Sequence, residues 1–228
     1  MIKKAIQLSP SSLDLYMECA HCFWLDKTKG IKRPAPYPYA LNAAVDYLLK
    51  REFDQYRKKN EPHPLLVSHN IEAKLFSDQE LLDKWRNNFL GIRYYDQELG
   101  ATLFGAVDDV LEFPDNKLAP LDYKSTGSAA ATVYDRFQLQ MDVYTYLLEK
   151  NGYKTNHKGY LAFYLVEKNN GFQDRLPFRK ELLEIDTNPD DVYDLFKEAV
   201  AVLKREVPPP HSAECKYGQW FGKAKSFT

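Results

Sequence analysis

Apolar positions along the chain alternate between two periods, and the changes of period mark out the elements. After Ser9-Pro10, a capping residue followed by a proline suited to the first helical position, Leu13, Tyr16, Ala20 and Phe23 recur at helical spacing and predict a first helix. From 40 to 59, Leu41, Ala44, Val45, Leu48, Leu49, Phe53 and Tyr56 trace the apolar stripe of a second, long helix. Pro62 and Pro64 end it, and Leu81, Leu82, Trp85 and Phe89 predict a shorter third. At Gly91 the period shortens, and the β-rich stretches 92–98, 102–113 and 117–124, separated by short turns, predict an antiparallel meander. A helix over 133–151 follows, with Phe137, Met141, Tyr144 and Leu148 as its buried stripe and Asn151-Gly152 as its stop. Strands over 158–167 and 175–185 come next. Asn188-Pro189 opens a last helix through Val192, Leu195, Phe196, Ala199, Val200 and Leu203, which Pro208-Pro-Pro210 cuts off. This order predicts an α+β fold around a mixed sheet, in a single domain over 1–228: a helical N-terminal region spanning 1–90, a sheet core over 91–186, and a C-terminal helix and tail over 187–228.

Composition narrows the function classes. The 228 residues suffice for a sizeable core, and 31 Lys and Arg against 32 Asp and Glu leave a net charge of -1, which excludes a broad polybasic surface. Any nucleic-acid site must be local. Three cysteines, an odd number, argue against a disulfide framework and for a reducing compartment. The first ten residues contain no signal-peptide core, and the longest apolar run, around Tyr160 to Val166, is far short of a membrane span. The expectation is a cytoplasmic protein with no membrane partner.

Candidate chemistry concentrates on the meander. Gly105-Ala-Val-Asp108 lies on its second strand and Asp122-Tyr-Lys124 ends its third. Strand alternation puts Asp122 and Lys124 on one face, a neighbouring strand can bring Asp108 beside Asp122, and Asp109 must then face the other way. Glycine at 105 lets a ligand or a backbone come close. Two converging carboxylates repel unless a hard cation such as magnesium neutralises them, and a nearby lysine can orient or deprotonate an attacking water. Phosphodiester hydrolysis needs this set of groups. Downstream, Gln140 and Tyr144 share a helix face through their i, i+4 spacing, where they can contact a nucleotide or the lysine. Single motifs of this kind recur by chance, as Gly171-x-x-Asp174 and Asp115-x-Lys117 do here, but the ordered set occurs once.

The ordered set resembles the PD-(D/E)XK nuclease superfamily, and within it the RecB-type and CRISPR-adaptation nucleases. The likeness extends to an N-terminal Ser11, Tyr16, Cys19 stretch and a proline-rich tail with a cysteine. The resemblance implies a restriction-endonuclease-like αβββαβ core and DNA cleavage dependent on Mg2+ or Mn2+. It makes Asp108 and Asp122 metal ligands, adds the Tyr123 carbonyl as a ligand, makes Lys124 the catalytic lysine, and assigns Gln140 and Tyr144 to the supporting helix motif. DNA, single-stranded or at duplex ends, is the implied partner, and both exonuclease and internal cutting stay open. Lys27, Lys29, Lys32 and Arg33 are the first candidates for backbone contacts, with Arg57, Lys58, Lys59, Lys223 and Lys225 extending them.

Two positions depart from the family pattern. Where a Gly-x-x-x-His helix motif is expected, the nearest match is Asn42-Ala-Ala-Val-Asp46. Asp46 is either a third metal ligand or a polar residue on the wet side of its helix. Similar nucleases hold an iron-sulfur cluster on four cysteines; this chain has Cys19, Cys22 and Cys215, with Gly218 where another tail cysteine would fall. The favoured expectation is a decayed site whose thiols pack as small hydrophobes, and the alternative is zinc on Cys19, Cys22, His211 and Cys215. These departures motivate a rival reading, a non-cutting module of the same fold that binds DNA or a partner protein. The acidic stretch over 181–198 offers a protein-contact surface as a third.

Overall fold

The computed structural model describes residues 5–34, 40–169, 171 and 174–226. The proline-rich connector over 35–39 and two positions of the Gly171-x-x-Asp174 motif lie outside the described residues. The chain forms two compact units: residues up to 37 with 95–104 and 191 onward, and residues 38–94 with 105–190.

The first unit begins with β1 (Ile6–Leu8) and α1 (Pro10–Glu18). Ser9 caps α1 by accepting the Ser12 N–H at 3.3 Å, with Pro10 at the first helical position, as the sequence predicts. After a break at Cys19 the chain forms α2 (Ala20–Trp24) and a wider helical turn, Leu25–Lys29, closed by Gly30 in the left-handed conformation. The amphipathic helix α7 (Asp190–Leu203) buries Val192, Phe196, Ala199 and Val200. The tail is not irregular: α8 (Lys216–Lys225) follows the prolines. Tyr217, Trp220, Phe221 and Ala224 do recur at helical spacing, but Gly218 and Gly222 depress the propensity of so short a segment and mask the signal, and the three aromatic rings stay exposed.

The second unit is built on a five-stranded mixed sheet. Its strands are β2 (Lys74–Leu75), β5 (Asp109–Glu112), β6 (Leu118–Thr126), β7 (Lys158–Val166) and β8 (Phe178–Asp186), in that spatial order. Within this sheet β6 and β7 pair in parallel and the other neighbours antiparallel. Their connection carries the helix α6 (Asp135–Lys150), as a parallel crossover requires. The helix α3 (Ala40–Lys59), the short α4 (Pro64–Ser68) and α5 (Gln79–Arg86) complete the unit. Both faces of β6 are covered, which explains the unbroken apolar run before Asp122. Leu121 and Tyr123 join Leu49 and Phe53 of α3 in one core cluster. On the other face, Met141 of α6 packs so closely on β7 that a side chain at Gly159 would meet it at 2.9 Å.

Four expectations change. The stretch 102–113 is two strands: β4 (Ala101–Gly105) belongs with β1 and β3 (Ile92–Asp96) in a three-stranded sheet, and β5 belongs to the five-stranded one. The break falls at 106–108, where the Val107 N–H turns to the Trp85 carbonyl at 3.2 Å instead of to a strand. The buried stripe of α3 is Leu49, Phe53 and Arg57, with Leu41, Ala44 and Leu48 exposed, because a buried arginine holds the inner face. Pro64 starts α4 rather than only ending α3, and Phe89 lies exposed beyond the end of α5.

That arginine serves Asp109, which is fully buried on β5. Its carboxylate pairs with Arg57 and, at 3.1 Å, with Arg86; the Tyr123 hydroxyl donates to it at 2.7 Å. Arg57 also pairs with Asp54 and donates to the Phe76 carbonyl at 2.7 Å. Burial, and then the Asp109 charge, push the Tyr123 phenol well above its ordinary range, so it stays a donor. No helix among the described residues is long and apolar enough to cross a membrane.

Asp109→Ala leaves Arg57 and Arg86 with the half-buried Asp54 as their remaining shared counter-charge. Urea denaturation should show a loss of about 3–5 kcal/mol. Asp83→Ala, at an exposed neighbour 3.9 Å from Arg86, should change stability by less than ~0.5 kcal/mol.

Candidate active site

Register and pleat assemble the site within the second unit. β5 and β6 pair antiparallel with Asp109, the first residue of β5, opposite Leu121. Asp108 lies in the bend just before β5 and turns its carboxylate to the site, while Asp109 turns to Arg57 and Arg86. The Asp108 Oδ2 accepts the Tyr123 N–H at 3.2 Å, and the Asp108 carbonyl accepts from Arg86 Nε at 2.6 Å. Asp122 and Lys124 share a face of β6 and form an ion pair. The Tyr123 side chain points to the opposite core, so only its main chain lies along the site.

Gln140 holds these groups in register. Its amide oxygen accepts from Lys124 Nζ at 3.0 Å, and its amide nitrogen donates at 2.8 Å to Asp122 Oδ1 and at 2.8 Å to the Tyr144 hydroxyl. Tyr144 in turn donates to the Ala106 carbonyl at 2.6 Å. The i, i+4 pair therefore ties α6 to the loop that carries Asp108 and orients the lysine and the carboxylate. Buried Tyr144 serves the frame and not a ligand. Gly105 belongs to the same frame. A side chain there would lie 2.6 Å from the Tyr144 ring, so the glycine admits that ring rather than a ligand.

Sequence pattern missed Lys50, one turn after Asp46 on α3. Its ammonium lies 2.8 Å from Asp46 Oδ2 and 2.8 Å from Asp108 Oδ1. Burial works against the charge, but the two carboxylates outweigh it and hold Lys50 above its ordinary range. Asp46 thus reaches the site's edge through a lysine. The only sequence signal was its i, i+4 spacing from Asp46.

The electrostatics fit a divalent cation. Burial, and then the neighbouring Asp108 charge, push Asp122 up to about 7, against the pull of Lys124. Its Oδ1 accepts from Gln140 and its Oδ2 meets the Lys124 ammonium. Two adjacent carboxylates are the donor chemistry of a hard cation. Beside them opens a groove of about 740 Å3, lined by Asp46, Lys124, Tyr134, Arg136, Phe137 and Phe163 among others.

Several predicted basic contacts are committed elsewhere. Arg57 is buried on Asp109 and is not a surface cation. Arg33 pairs with Glu18 at 2.6 Å and lies 4.6 Å over the Tyr217 ring. Lys27 sits 3.8 Å from Asp26, and Lys29 lies 5.2 Å over Trp24. Lys32, Lys58 and Lys59 are exposed. The four groups Cys19, Cys22, His211 and Cys215 come together in the first unit, their ligand atoms all within 4.8 Å of one another.

A raised carboxyl pKa favours the folded state at low pH and is lost as pH rises through the folded value. In chelator, stability should therefore fall as pH rises from about 4 through about 7, the value to which Asp122 is pushed up. Asp122→Asn, which cannot ionise, should be more stable than the wild type at pH 8 by roughly one to a few kcal/mol, with the gap closing near pH 4. Thermal unfolding across pH measures both. A constant gap would show that Asp122 titrates in its ordinary range.

The family model of the PD-(D/E)XK nuclease superfamily matches residues 7–220. A solved structure described as "Crystal structure of SSO0001" is similar over 97% of this chain and 87% of that one, at 14% identity and a TM-score of 0.49. No curated protein matches the chain. With its mixed sheet flanked by helices and a family match over nearly its whole length, the chain belongs to the PD-(D/E)XK nuclease superfamily.

Proposed function

We propose that this protein is a Mg2+- or Mn2+-dependent deoxyribonuclease of the RecB-type branch. One observation carries the reading: a single amide, Gln140, bonds both the buried carboxylate of Asp122 and the ammonium of Lys124, directly beside Asp108. Asp108 and Asp122 would hold the cation, with Asp46 at the margin. When bound, a divalent ion polarises the phosphate and makes its bound water more acidic. Lys124 orients the attacking water and stabilises charge developing on the phosphate, and its ammonium is kept in place by Gln140, Asp122 and the Phe137 ring at 4.4 Å. Tyr134, Phe137 and Arg136 line the adjoining groove, where rings can stack on bases and the guanidinium can pair with phosphate. None of the three cysteines forms a disulfide, in keeping with a reducing, cytoplasmic setting.

Lys50 favours a second reading. Its ammonium on Asp46 and Asp108 supplies positive charge where a cation would sit, as suits a module that binds DNA without cutting. The two readings separate experimentally. With linear and single-stranded DNA plus Mn2+, the wild type should cut, and Asp108→Ala and Lys124→Ala should each lose about 10²–10⁴ in rate. Calorimetry should give metal binding that Asp108→Ala abolishes, Lys124→Ala retains and Lys50→Met strengthens. Cutting that survives in both alanine variants would sink the nuclease reading. A folded wild type that binds DNA but neither metal nor cuts would establish the module.

A further inference from the structure

In the first unit, the extended backbone at Cys19 precedes α2, and Cys22 follows one turn inside that helix. Cys215 is the cap of α8, where its sulfur accepts the Gly218 N–H at 3.4 Å. His211 reaches the same point from the segment before it, with Nδ1 lying 3.5 Å from Cys19 Sγ and 3.9 Å from Cys22 Sγ. The Cys22 and Cys215 sulfurs are 3.6 Å apart. That is far beyond the S–S bond of about 2.0 Å. It is close to the ~3.8 Å that separates two thiolates on one tetrahedral zinc with Zn–S of ~2.3 Å.

The surroundings fit an ion better than packed thiols or a cluster. The three cysteines are buried, yet Leu15 is the apolar neighbour that packs against them among the described residues. A four-iron cluster holds its ligands farther apart than a single ion does, and here all four ligand atoms lie within 4.8 Å. Gly218 accounts for the fourth ligand. A side chain there would come within 2.6 Å of the His211 ring, so the residue that removes a fourth cysteine also makes room for an imidazole. The ring is held by stacking on His21, with centroids 3.7 Å apart, and His21 Nδ1 meets the Pro209 carbonyl at 2.7 Å. Three thiolates, an imidazole and a dication sum to one negative charge, and Arg33 Nη2 approaches Cys215 Sγ at 3.7 Å to balance it.

We propose that Cys19, Cys22, Cys215 and His211 Nδ1 bind one zinc ion in a closed tetrahedral site that fastens the segment leading into α8 to the turn between α1 and α2. Four protein ligands leave no position for water, so the site is structural rather than catalytic. Its metal content is read independently of DNA cleavage.

Elemental analysis of the full chain, expressed with both zinc and iron supplied, should give about one zinc per chain and no acid-labile sulfide. Cobalt added to the metal-free chain should give the thiolate charge-transfer and visible bands of a tetrahedral site. The Cys19→Ser, Cys215→Ser double variant should lose both signals. Gly218→Ala keeps all four ligands but crowds the imidazole, and like His211→Ala it should release metal to a chelator at least about tenfold more readily. Circular dichroism checks that each variant is folded. Iron with labile sulfide, a folded wild type without stoichiometric metal, or zinc retained by the double variant would each overturn the proposal.

Discussion

The carboxylate of Asp109 is the constraint on which the second unit depends. A charge with no solvent access is tolerable only if fully paired, and Asp109 is met by Arg57, Arg86 and the Tyr123 hydroxyl. Those partners come from α3, α5 and β6, so one buried charge fixes two helices and the central strand around β5. Arg86 passes the constraint on by donating to the carbonyl of Asp108. The acid that faces the groove is held by the neighbour that faces away from it.

From that anchor the site is a short hydrogen-bonded relay. Ala106, Tyr144, Gln140, Asp122 and Lys124 follow one another, and each contact uses a donor or acceptor that would otherwise be stranded under α6. Gly105 and Gly159 let α6 settle onto the strands at the distance this relay needs. The superfamily's nuclease chemistry rests on rigid placement of a few charged groups. Here the rigidity comes from a polar seam between one helix and the central strand of the sheet.

Much of this was legible from local pattern. The Asp-x-Lys spacing placed Asp122 and Lys124 on one face, and alternation separated Asp108 from Asp109. The i, i+4 spacing aligned Gln140 with Tyr144. Each inference uses geometry within a few residues, which secondary structure alone dictates. What failed had a common cause. Arg57 read as a surface cation and Leu48 as a core residue because the face that α3 buries is chosen by the strand it packs on and by Asp109. The stretch 102–113 read as one strand because its break depends on a turn toward Trp85, far from it in sequence.

By itself the sequence determined the α+β order and the candidate residues that share a face of its strand and helix, since period and spacing are local properties of the backbone. Tertiary structure alone decided which cations are spent on buried acids, that Lys50 bridges Asp46 and Asp108, and that Cys22 meets Cys215 across 193 residues. Such meetings follow the path of the whole chain, and no local period encodes that path.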